Sequence, residues 1–293
     1  IKPVLDDFLP DLIITQGDTT TTFVASLAGF YSKIKVAHIE AGLRSFDKFS
    51  PFPEEINRIL TSHIADFHFA PTQKSIENLL SEGIDKNIFL VGNTIIDTLF
   101  LTLSVIQMNE QTYISKFNYI NLNKKIILVT GHRRESFGEP FRQICNAIRK
   151  IAIDFPDVQI IYPVHLNPNV QEPVKEILSG LNNIFLIEPQ KYPEFVWLMS
   201  KSYIILTDSG GVQEEAPSLG KPVLVMRDVT ERTEGINAGT AKLVGTSESE
   251  IYQSVKELIQ NEEIYQQMSI AQNPYGDGRS SERIVTTLQK TLI

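Results

Sequence analysis

The chain has 293 residues, 42% of them hydrophobic and 21% charged, which is enough for one large or two ordinary α/β domains with full cores. This composition excludes a disordered chain and a small disulfide-stapled scaffold. The 27 Lys and Arg residues against 35 Asp and Glu give a net charge of −8, the opposite of what a general binder of nucleic-acid backbones carries.

The single cysteine, Cys145, allows no intramolecular disulfide and no cysteine-based metal cluster, so a reducing compartment, the cytoplasm, fits the chain best. No window approaches the roughly 18 apolar residues of a membrane span, and the start lacks a basic segment followed by an apolar one. The chain begins at Ile1, and residues 1–8 are typical of the end of a helix. We therefore expect an N-terminal truncation.

Short apolar runs alternate with amphipathic stretches from Asp11 onward, which is typical of βα units around a parallel sheet. The predicted strands of the first half are residues 12–15, 35–39, 67–70 and 88–91, and a helix is predicted at 95–108. Residues 109–123 are polar and rich in Asn and Tyr, without sustained periodicity, so we interpret them as a linker.

A second series of six strands is predicted at residues 125–129, 159–162, 184–187, 203–207, 222–226 and 242–244. Six strands make a complete doubly wound domain. The first half offers only four strands, so if the halves are alike it lacks two or three βα units, at roughly 30 residues each. We predict domains at 1–108 and 124–272, and a C-terminal segment at 273–293 whose helix, 280–292, can pack on either domain.

Open α/β sheets bind ligands where parallel strands end, so the residues after each strand are candidates for function. After the strand at 203–207, the Ser-Gly-Gly of residues 209–211 exposes backbone N–H groups at a helix N-terminus, which suits a phosphate. The carboxylates of residues 214–215 are the right length to accept hydrogen bonds from a ribose diol. The same residues also fit a tight turn whose acids complement the helix dipole. Pro217 lies inside the predicted helix and predicts a kink.

Three groups that can be cationic, His132, Arg133 and Arg134, follow the strand at 125–129. An arginine fork and an imidazolium can neutralise a diphosphate leaving group, and a histidine can also donate a proton. The alternative is a charged turn in which Glu135 pairs with an arginine.

Carboxylates follow two neighbouring strands of the first half, at Asp18 and Glu40, and a third acidic cluster, Glu54 and Glu55, lies in the proline-rich segment that begins at Ser50. Convergent carboxylates repel one another, which raises at least one pKa and prepares an acid and a base near neutral pH. The alternative differs by site, since Asp18 also suits a helix N-cap and the glutamates suit a first helical turn.

Other candidates are weaker. His165 ends a strand, where it suits either a ligand contact or a structural loop. Phe195 and Trp197 lie on a short apolar helix, where core packing competes with an aromatic platform for a base. His63 and His68 look structural. The spacing of His, Asp and Cys suggests no metal site, and the sequence has no Gly-x-Gly-x-x-Gly or Walker loop.

Together these segments resemble the non-hydrolysing UDP-N-acetylglucosamine 2-epimerases of bacteria, from Pro10 to the end of the chain. The motifs that carry the resemblance are residues 17–22 (GDTTTT), 38–44 (HIEAGLR), 53–58 (PEEINR), 131–135 (GHRRE), 164–168 (VHLNP), 207–215 (TDSGGVQEE) and 273–278 (NPYGDG). The resemblance implies two Rossmann-like domains in a GT-B arrangement, a ligand cleft between them, an incomplete first domain and a C-terminal helix that returns to it.

The same resemblance implies a set of functional residues. These are Asp18, Glu40, Glu54 and His132 for catalysis, Arg58, Arg133, Phe195, Ser209, Gly210, Gly211 and Glu215 for binding UDP and the sugar, and His165 for a regulatory site. It also implies a homodimer that needs no cofactor and eliminates UDP from UDP-N-acetylglucosamine, then adds it back to a glycal with the opposite configuration at carbon 2. The product, UDP-N-acetylmannosamine, would serve surface polysaccharide synthesis. Because the family has an active-site loop before the matched region, we expect this polypeptide alone to be inactive.

Three alternatives stay open. A hydrolysing relative would release UDP and free N-acetylmannosamine. A GT-B glycosyltransferase shares the fold but needs an acceptor, and the carboxylates of the first half argue against it. A UDP-sugar sensor would bind the nucleotide sugar without turnover.

Overall fold

A computed structural model describes residues 1–49 and 51–292. Ser50, the predicted start of the third acidic segment, and Ile293 lie outside the described residues. The strands are β1 (Leu12–Gln16), β2 (Lys35–Ile39), β3 (Phe67–Ala70), β4 (Ile88–Leu90), β5 (Ile126–Thr130), β6 (Gln159–Pro163), β7 (Ile184–Ile187), β8 (Ile204–Thr207), β9 (Val223–Val225) and β10 (Ala241–Leu243). All ten predicted strands are confirmed, and their ends differ from the prediction by at most one residue.

The α-helices lie between the strands along most of the chain. They are α1 (Lys2–Phe8), α2 (Thr20–Tyr31), α3 (Glu54–Ile64), α4 (Gln73–Ser81), α5 (Thr94–Met108), α6 (Glu110–Lys116), α7 (Glu139–Asp154), α8 (Pro168–Leu178), α9 (Tyr192–Lys201), α10 (Gly210–Glu215), α11 (Thr233–Asn237), α12 (Glu248–Gln260), α13 (Glu262–Ile270) and α14 (Ser280–Leu292). Every strand pair is parallel, which confirms the predicted α/β class. Among the described residues, no helix is long and apolar enough to span a membrane.

The chain divides into two compact units, one formed by Ile1–Asp97 with Tyr275–Ile293 and the other by Thr98–Pro274. The first unit contains a four-stranded sheet in the order β1-β2-β3-β4. Helix α14 packs on this sheet, because Ile284 and Leu288 are buried against Phe67 and Phe69 of β3.

The second unit contains a six-stranded sheet in the order β10-β9-β8-β5-β6-β7. One buried cluster packs α7, α8 and α12 on the sheet, and a second cluster packs α9 on it around Trp197. The chain runs outward from β5 to β7, then returns to the other side of β5 as β8. The strand order therefore reverses between β5 and β8, and ligands of open α/β sheets bind at such a reversal, beyond the strand ends.

Two segments differ from the sequence-based expectation. The predicted linker, 109–123, contains α6, and its apolar residues Phe117 and Ile120 are buried against the second unit's core. The ring of Phe117 stacks on Trp197 at 5.1 Å between centroids, so two well-placed apolar side chains order a segment whose polar composition suggested a loop.

Pro217 does not kink a long helix. It lies at the start of a 3₁₀ turn, Ala216–Leu219, that follows α10, where its missing N–H costs little.

Candidate active site

A buried carboxylate joins two loops of the second unit at the point where the strand order reverses. Asp208 follows β8 and is only 2% exposed. Its Oδ2 accepts hydrogen bonds from the backbone N–H of His132 at 2.6 Å and of Arg133 at 2.7 Å, both in the loop after β5. The Nε of Arg133 also donates to the carbonyl oxygen of Asp208 at 3.3 Å. The two predicted cationic residues are thus fixed to the loop that begins the Ser-Gly-Gly segment.

The same carboxylate acts on the His132 imidazole. Nδ1 of His132 lies 3.3 Å from Oδ1 of Asp208, and 44% of the histidine side chain remains exposed. The interaction with Asp208 raises the pKa of His132, against the effects of partial burial and of Arg133. Burial opposes ionisation of Asp208, but the donors from His132 and Arg133 outweigh it and hold the pKa of this carboxyl below its usual value. The pair therefore favours an imidazolium beside a carboxylate.

His165 lies beside His132. Their rings stack with centroids 5.4 Å apart and planes at 18°, because β5 and β6 are neighbours and both loops leave the same edge of the sheet. The Nδ1 of His165 accepts a hydrogen bond from the backbone N–H of Asn167 at 3.1 Å, which orients its ring. The structure therefore brings the predicted regulatory histidine into contact with a predicted catalytic one.

The Ser-Gly-Gly segment begins α10. Ser209 is the N-cap residue, but its side chain makes no capping hydrogen bond, and its backbone N–H is held by Thr207 Oγ1 at 3.0 Å. Next to it, the guanidinium carbon of Arg232 lies 3.2 Å from where a Cβ on Gly210 would be. A side chain at this position would push the arginine a few tenths of an ångström away from the turn. A cation lies against the backbone that the sequence predicts for phosphate binding.

The two glutamates at the end of α10 have different partners. Glu214 is buried and accepts from Nε of Arg232 at 2.9 Å, which ties it to the turn. Glu215 Oε1 lies 3.8 Å from the position of a Cβ on Gly211, and its Oε2 accepts from the Tyr192 hydroxyl at 3.2 Å. Burial and the charge of Glu214 raise the pKa of Glu215 to about 7, although the Tyr192 hydrogen bond acts in the opposite direction. Glu215 is the better placed of the two for a ribose contact.

Phe195, expected beside a base, lies in the first turns of α9, the helix that also carries Tyr192. Its side chain is partly buried and packs against the core cluster around Trp197. Trp197 is 1% exposed and packs in the core. Phe195 packs against the same cluster, so its contact with a base stays a prediction.

In the first unit, two residues of α3 hold the loop after β1. Arg58 is buried, and its Nε donates to Asp18 Oδ2 at 2.9 Å while its Nη2 forms an ion pair with the same oxygen at 2.7 Å. The side-chain amide of Asn57 donates to the carbonyl oxygen of Asp18 at 2.9 Å. The N-cap role considered for Asp18 belongs instead to Thr19, which accepts from the backbone of Thr22. Asp18 is thereby free of a capping role and is oriented by a cation.

The carboxylate of Glu40 lies beside the same loop. Its Oε2 is 3.5 Å from where a Cβ on Gly17 would be, and Glu40 itself has a left-handed backbone with φ of 67°. His38 Nε2 lies 2.8 Å from the carbonyl oxygen of Gly17 and donates to it. Burial lowers the pKa of His38 to about 4, so the ring is neutral at neutral pH. The structure therefore brings Asp18 and Glu40 together around Gly17.

The two glutamates that begin α3 separate into different roles. Glu55 is 1% exposed and accepts from the backbone N–H groups of Ser45 and Phe46, at 3.0 and 2.9 Å, and from Arg58 at 3.2 Å. It holds the loop after β2 and is structural. Glu54 lies one turn before Asn57 and Arg58, on the face of the helix that reaches Asp18. Its Oε2 is enclosed and accepts no hydrogen bond from the described residues.

Sequence reasoning missed three residues of these clusters. Asp208 was visible at a strand end, and its position directly after β8 was the available signal. Arg232 lies far along the chain from Gly210, and nothing in its local sequence indicates the contact. His38 lies inside β2, where a polar residue in an apolar run marks a buried hydrogen bond.

The comparisons with known proteins agree with this geometry. A model of the UDP-N-acetylglucosamine 2-epimerase family matches residues 1–289. The UDP-N-acetylglucosamine 2-epimerase of Yersinia pestis is 55% identical over 293 residues, which are 99% of this chain and 78% of that protein. The Escherichia coli K12 enzyme of the same name is 53% identical over 297 residues, covering 100% of this chain and 79% of its own.

Solved structures show the same similarity. The UDP-GlcNAc 2-epimerase of Neisseria meningitidis bound to UDP-GlcNAc has a TM-score of 0.93 and 51% identity, over 99% of this chain and 79% of that one. The Methanocaldococcus jannaschii UDP-GlcNAc 2-epimerase in complex with UDP-GlcNAc and UDP has a TM-score of 0.81 and 39% identity, over 99% and 78% of the two chains. The chain belongs to the UDP-N-acetylglucosamine 2-epimerase family.

Proposed function

We propose that this protein is a non-hydrolysing epimerase that interconverts UDP-N-acetylglucosamine and UDP-N-acetylmannosamine. The observation that carries the proposal is the cluster at the strand reversal of the second unit, where Asp208 joins the His132–Arg133 loop to the Ser-Gly-Gly turn. This cluster offers cations and backbone donors to a diphosphate at the position where open α/β sheets bind nucleotides. Solved relatives bound to UDP-GlcNAc or UDP support this choice of ligand.

The proposed reaction has two steps. In the first, the bond between carbon 1 and the UDP oxygen breaks while a base removes the proton on carbon 2, which gives UDP and a glycal. In the second, the UDP oxygen adds back to carbon 1 and an acid delivers a proton to the opposite face of carbon 2. Developing positive charge at carbon 1 acidifies the neighbouring proton, which otherwise leaves too slowly at neutral pH.

The second unit binds the nucleotide. His132 and Arg133 neutralise the diphosphate as the bond to carbon 1 breaks, because charge develops on the leaving oxygen. Gly210 and Gly211 bind phosphate through their backbone N–H groups, and Ser209 binds it through its hydroxyl.

Two further residues of this unit complete the nucleotide contacts. Glu215 accepts hydrogen bonds from the ribose hydroxyls, and Phe195 lies beside the base. His165 contributes to a second, regulatory nucleotide-sugar site.

The first unit supplies the acid and base groups. Asp18, Glu40 and Glu54 are the carboxylates for proton transfer at carbon 2, and Arg58 orients Asp18. The close approach of Glu40 to the Asp18 loop supports their joint use.

Proton NMR in D₂O tests the proposal. The full-length protein is incubated with UDP-N-acetylglucosamine, and the carbon 2 position and free UDP are followed together. Deuterium at carbon 2 in a mixture of the two nucleotide sugars is the expected result. Stoichiometric free UDP with N-acetylmannosamine would identify a hydrolysing enzyme instead, and binding without exchange would identify a UDP-sugar sensor.

We further propose that the protein acts as a cytoplasmic homodimer and that its product feeds surface polysaccharide synthesis. The family resemblance supports both statements. Light scattering on the purified protein measures the oligomeric state, and a monomeric mass at working concentration would contradict the first.

A further inference from the structure

The Asp208 carboxylate has an unusual position for a group outside the predicted catalytic set. It is almost completely buried, yet each of its oxygens faces the loop after β5. A buried carboxylate is stable only if donors compensate the loss of water. Here the compensation comes from His132 and Arg133, the residues that the proposed function assigns to the diphosphate.

Oδ1 of Asp208 can only accept and is otherwise without a hydrogen-bond partner among the described residues, so a hydrogen on Nδ1 of His132, 3.3 Å away, is favoured. The other ring nitrogen, Nε2, then determines what the histidine can do. In the imidazolium, Nε2 donates a hydrogen bond to an anionic oxygen, and in the neutral ring it accepts one.

We propose that Asp208 is a positioning residue that fixes the His132 ring with Nδ1 protonated, so that Nε2–H points at the diphosphate oxygen leaving carbon 1. This inference rests on the proposed function for the identity of that oxygen. The geometry that carries it, one carboxylate holding both the backbone and the ring of His132, does not depend on that function.

The charged and titratable groups that face His132 come from three elements. Asp208 follows β8, Arg133 is the next residue of its own loop, and the His165 ring stacks on it from the end of β6. Arg133 disfavours an imidazolium, and Asp208 favours it. Without the Asp208 charge, the effect of Arg133 should therefore dominate and lower the pKa of His132.

Nitrogen-15 NMR of the histidine rings, in the full chain without ligand, tests the ground state directly. The wild-type protein should show His132 with Nδ1 protonated in its neutral form and with a pKa above 6.5. In Asp208→Asn, the pKa of His132 should fall. Asp157→Asn, which removes an exposed carboxylate of the same unit, is the matched control and should leave the pKa of His132 unchanged.

UDP binding by calorimetry supplies the functional readout. Asp208→Asn and His132→Gln should each weaken UDP binding about tenfold. The double variant should be no weaker than either single variant, because both changes remove the same interaction, that of the His132 ring with the diphosphate. Additive losses would overturn the proposal.

The ring measurement also stands alone if Asp208→Asn does not fold. A neutral wild-type His132 protonated at Nε2, or a pKa at or below 6.5, would overturn the positioning role whether or not the protein epimerises its substrate. A protein that shows the expected ring state but no exchange at carbon 2 would contradict the proposed function only.

Discussion

Two nitrogens of Arg58 contact a single oxygen of Asp18: Nε donates a hydrogen bond at 2.9 Å, and Nη2 forms an ion pair at 2.7 Å. Its third nitrogen, Nη1, donates to Glu55 at 3.2 Å. One guanidinium thus links a carboxylate that is 28% exposed to one that is 1% exposed. The buried partner fixes the arginine, and the arginine fixes the carboxylate proposed for proton transfer.

Arg58→Met should reduce both stability and activity. Loss of the cation leaves Glu55 buried with only its backbone donors, which should lower the free energy of unfolding by about 3 kcal/mol. Asp18 loses its orientation, and the rate of exchange at carbon 2 should fall about a hundredfold. Urea denaturation and the D₂O assay measure the two effects. Arg58→Lys keeps the charge but not the fork, so it should recover stability better than rate. A wild-type rate in Arg58→Met would contradict the orienting role.

Gly42→Ala should strongly destabilise the first unit. Gly42 has φ of +89°, and a Cβ there would lie 2.2 Å from the backbone oxygen of Ser75. We expect a loss of about 3 to 5 kcal/mol, from left-handed strain together with a backbone collision. Gly83→Ala is the control, since Gly83 has φ of +80° and, apart from its chain neighbours, no described residue has an atom within 4 Å of the Cβ position. Gly83→Ala should lower the free energy of unfolding by about 1 kcal/mol. If denaturation curves gave equal losses for the two variants, the structure would relieve the collision at residue 42.

Stability should fall as pH decreases below the ordinary pKa of histidine, in part because of His38. The pKa of His38 is about 4 in the folded protein and 6.5 in a free chain. The unfolded chain therefore binds this proton more readily. The stability that depends on a neutral His38 is fully present above pH 6.5 and is lost as pH falls to 4. Its size is roughly 3 kcal/mol.

His38→Gln keeps a donor near Gly17 but removes the titration. The free energy of unfolding should therefore depend less steeply on pH in the variant than in the wild type over this range. His68, whose pKa burial also lowers to about 4, titrates in both proteins and cancels in the comparison. Parallel pH dependences would show that His38 does not remain neutral.

UDP affinity should rise with pH through neutrality because of Glu215. Its pKa of about 7 means that part of the population is protonated in the free protein at neutral pH, and a ribose diol is best bound by the carboxylate. Between pH 6 and pH 8 the ionised fraction rises about tenfold, and affinity should follow. Glu215→Gln should bind more weakly without this step, whereas titration of UDP itself affects both proteins. Calorimetry at several pH values measures the difference, and an identical pH profile in the variant would remove Glu215 from the ribose site.

Sequence periodicity was sufficient to predict the positions of the strands, because a buried parallel strand is a short apolar run that few other structures produce. It also located the loops at the strand ends, including those with Asp18 and His132. It could not separate Glu54 from Glu55, which are adjacent and chemically alike. Only the three-dimensional placement of Ser45 and Phe46 shows that Glu55 holds a loop.

Contacts between residues far apart in the chain were the least predictable. Arg232 approaches Gly210 through a loop whose composition carries no signal, and Asp208 reaches the loop after β5 because of the sheet order. Strand order depends on how crossovers pack, and a single sequence does not contain that information in local form.

The first unit cannot complete its core until helix α14 has been synthesised. Asp97 accepts from the backbone N–H groups of Ser280 and Ser281, at 3.1 and 2.7 Å, and Ile284 and Leu288 complete the core beneath β3. During synthesis, domains usually fold in the order in which they emerge. Here residues 98–274 emerge as a continuous unit before the last helix exists. The unit that is translated first is therefore the one that finishes folding last, and until then its sheet exposes the surface that α14 will cover.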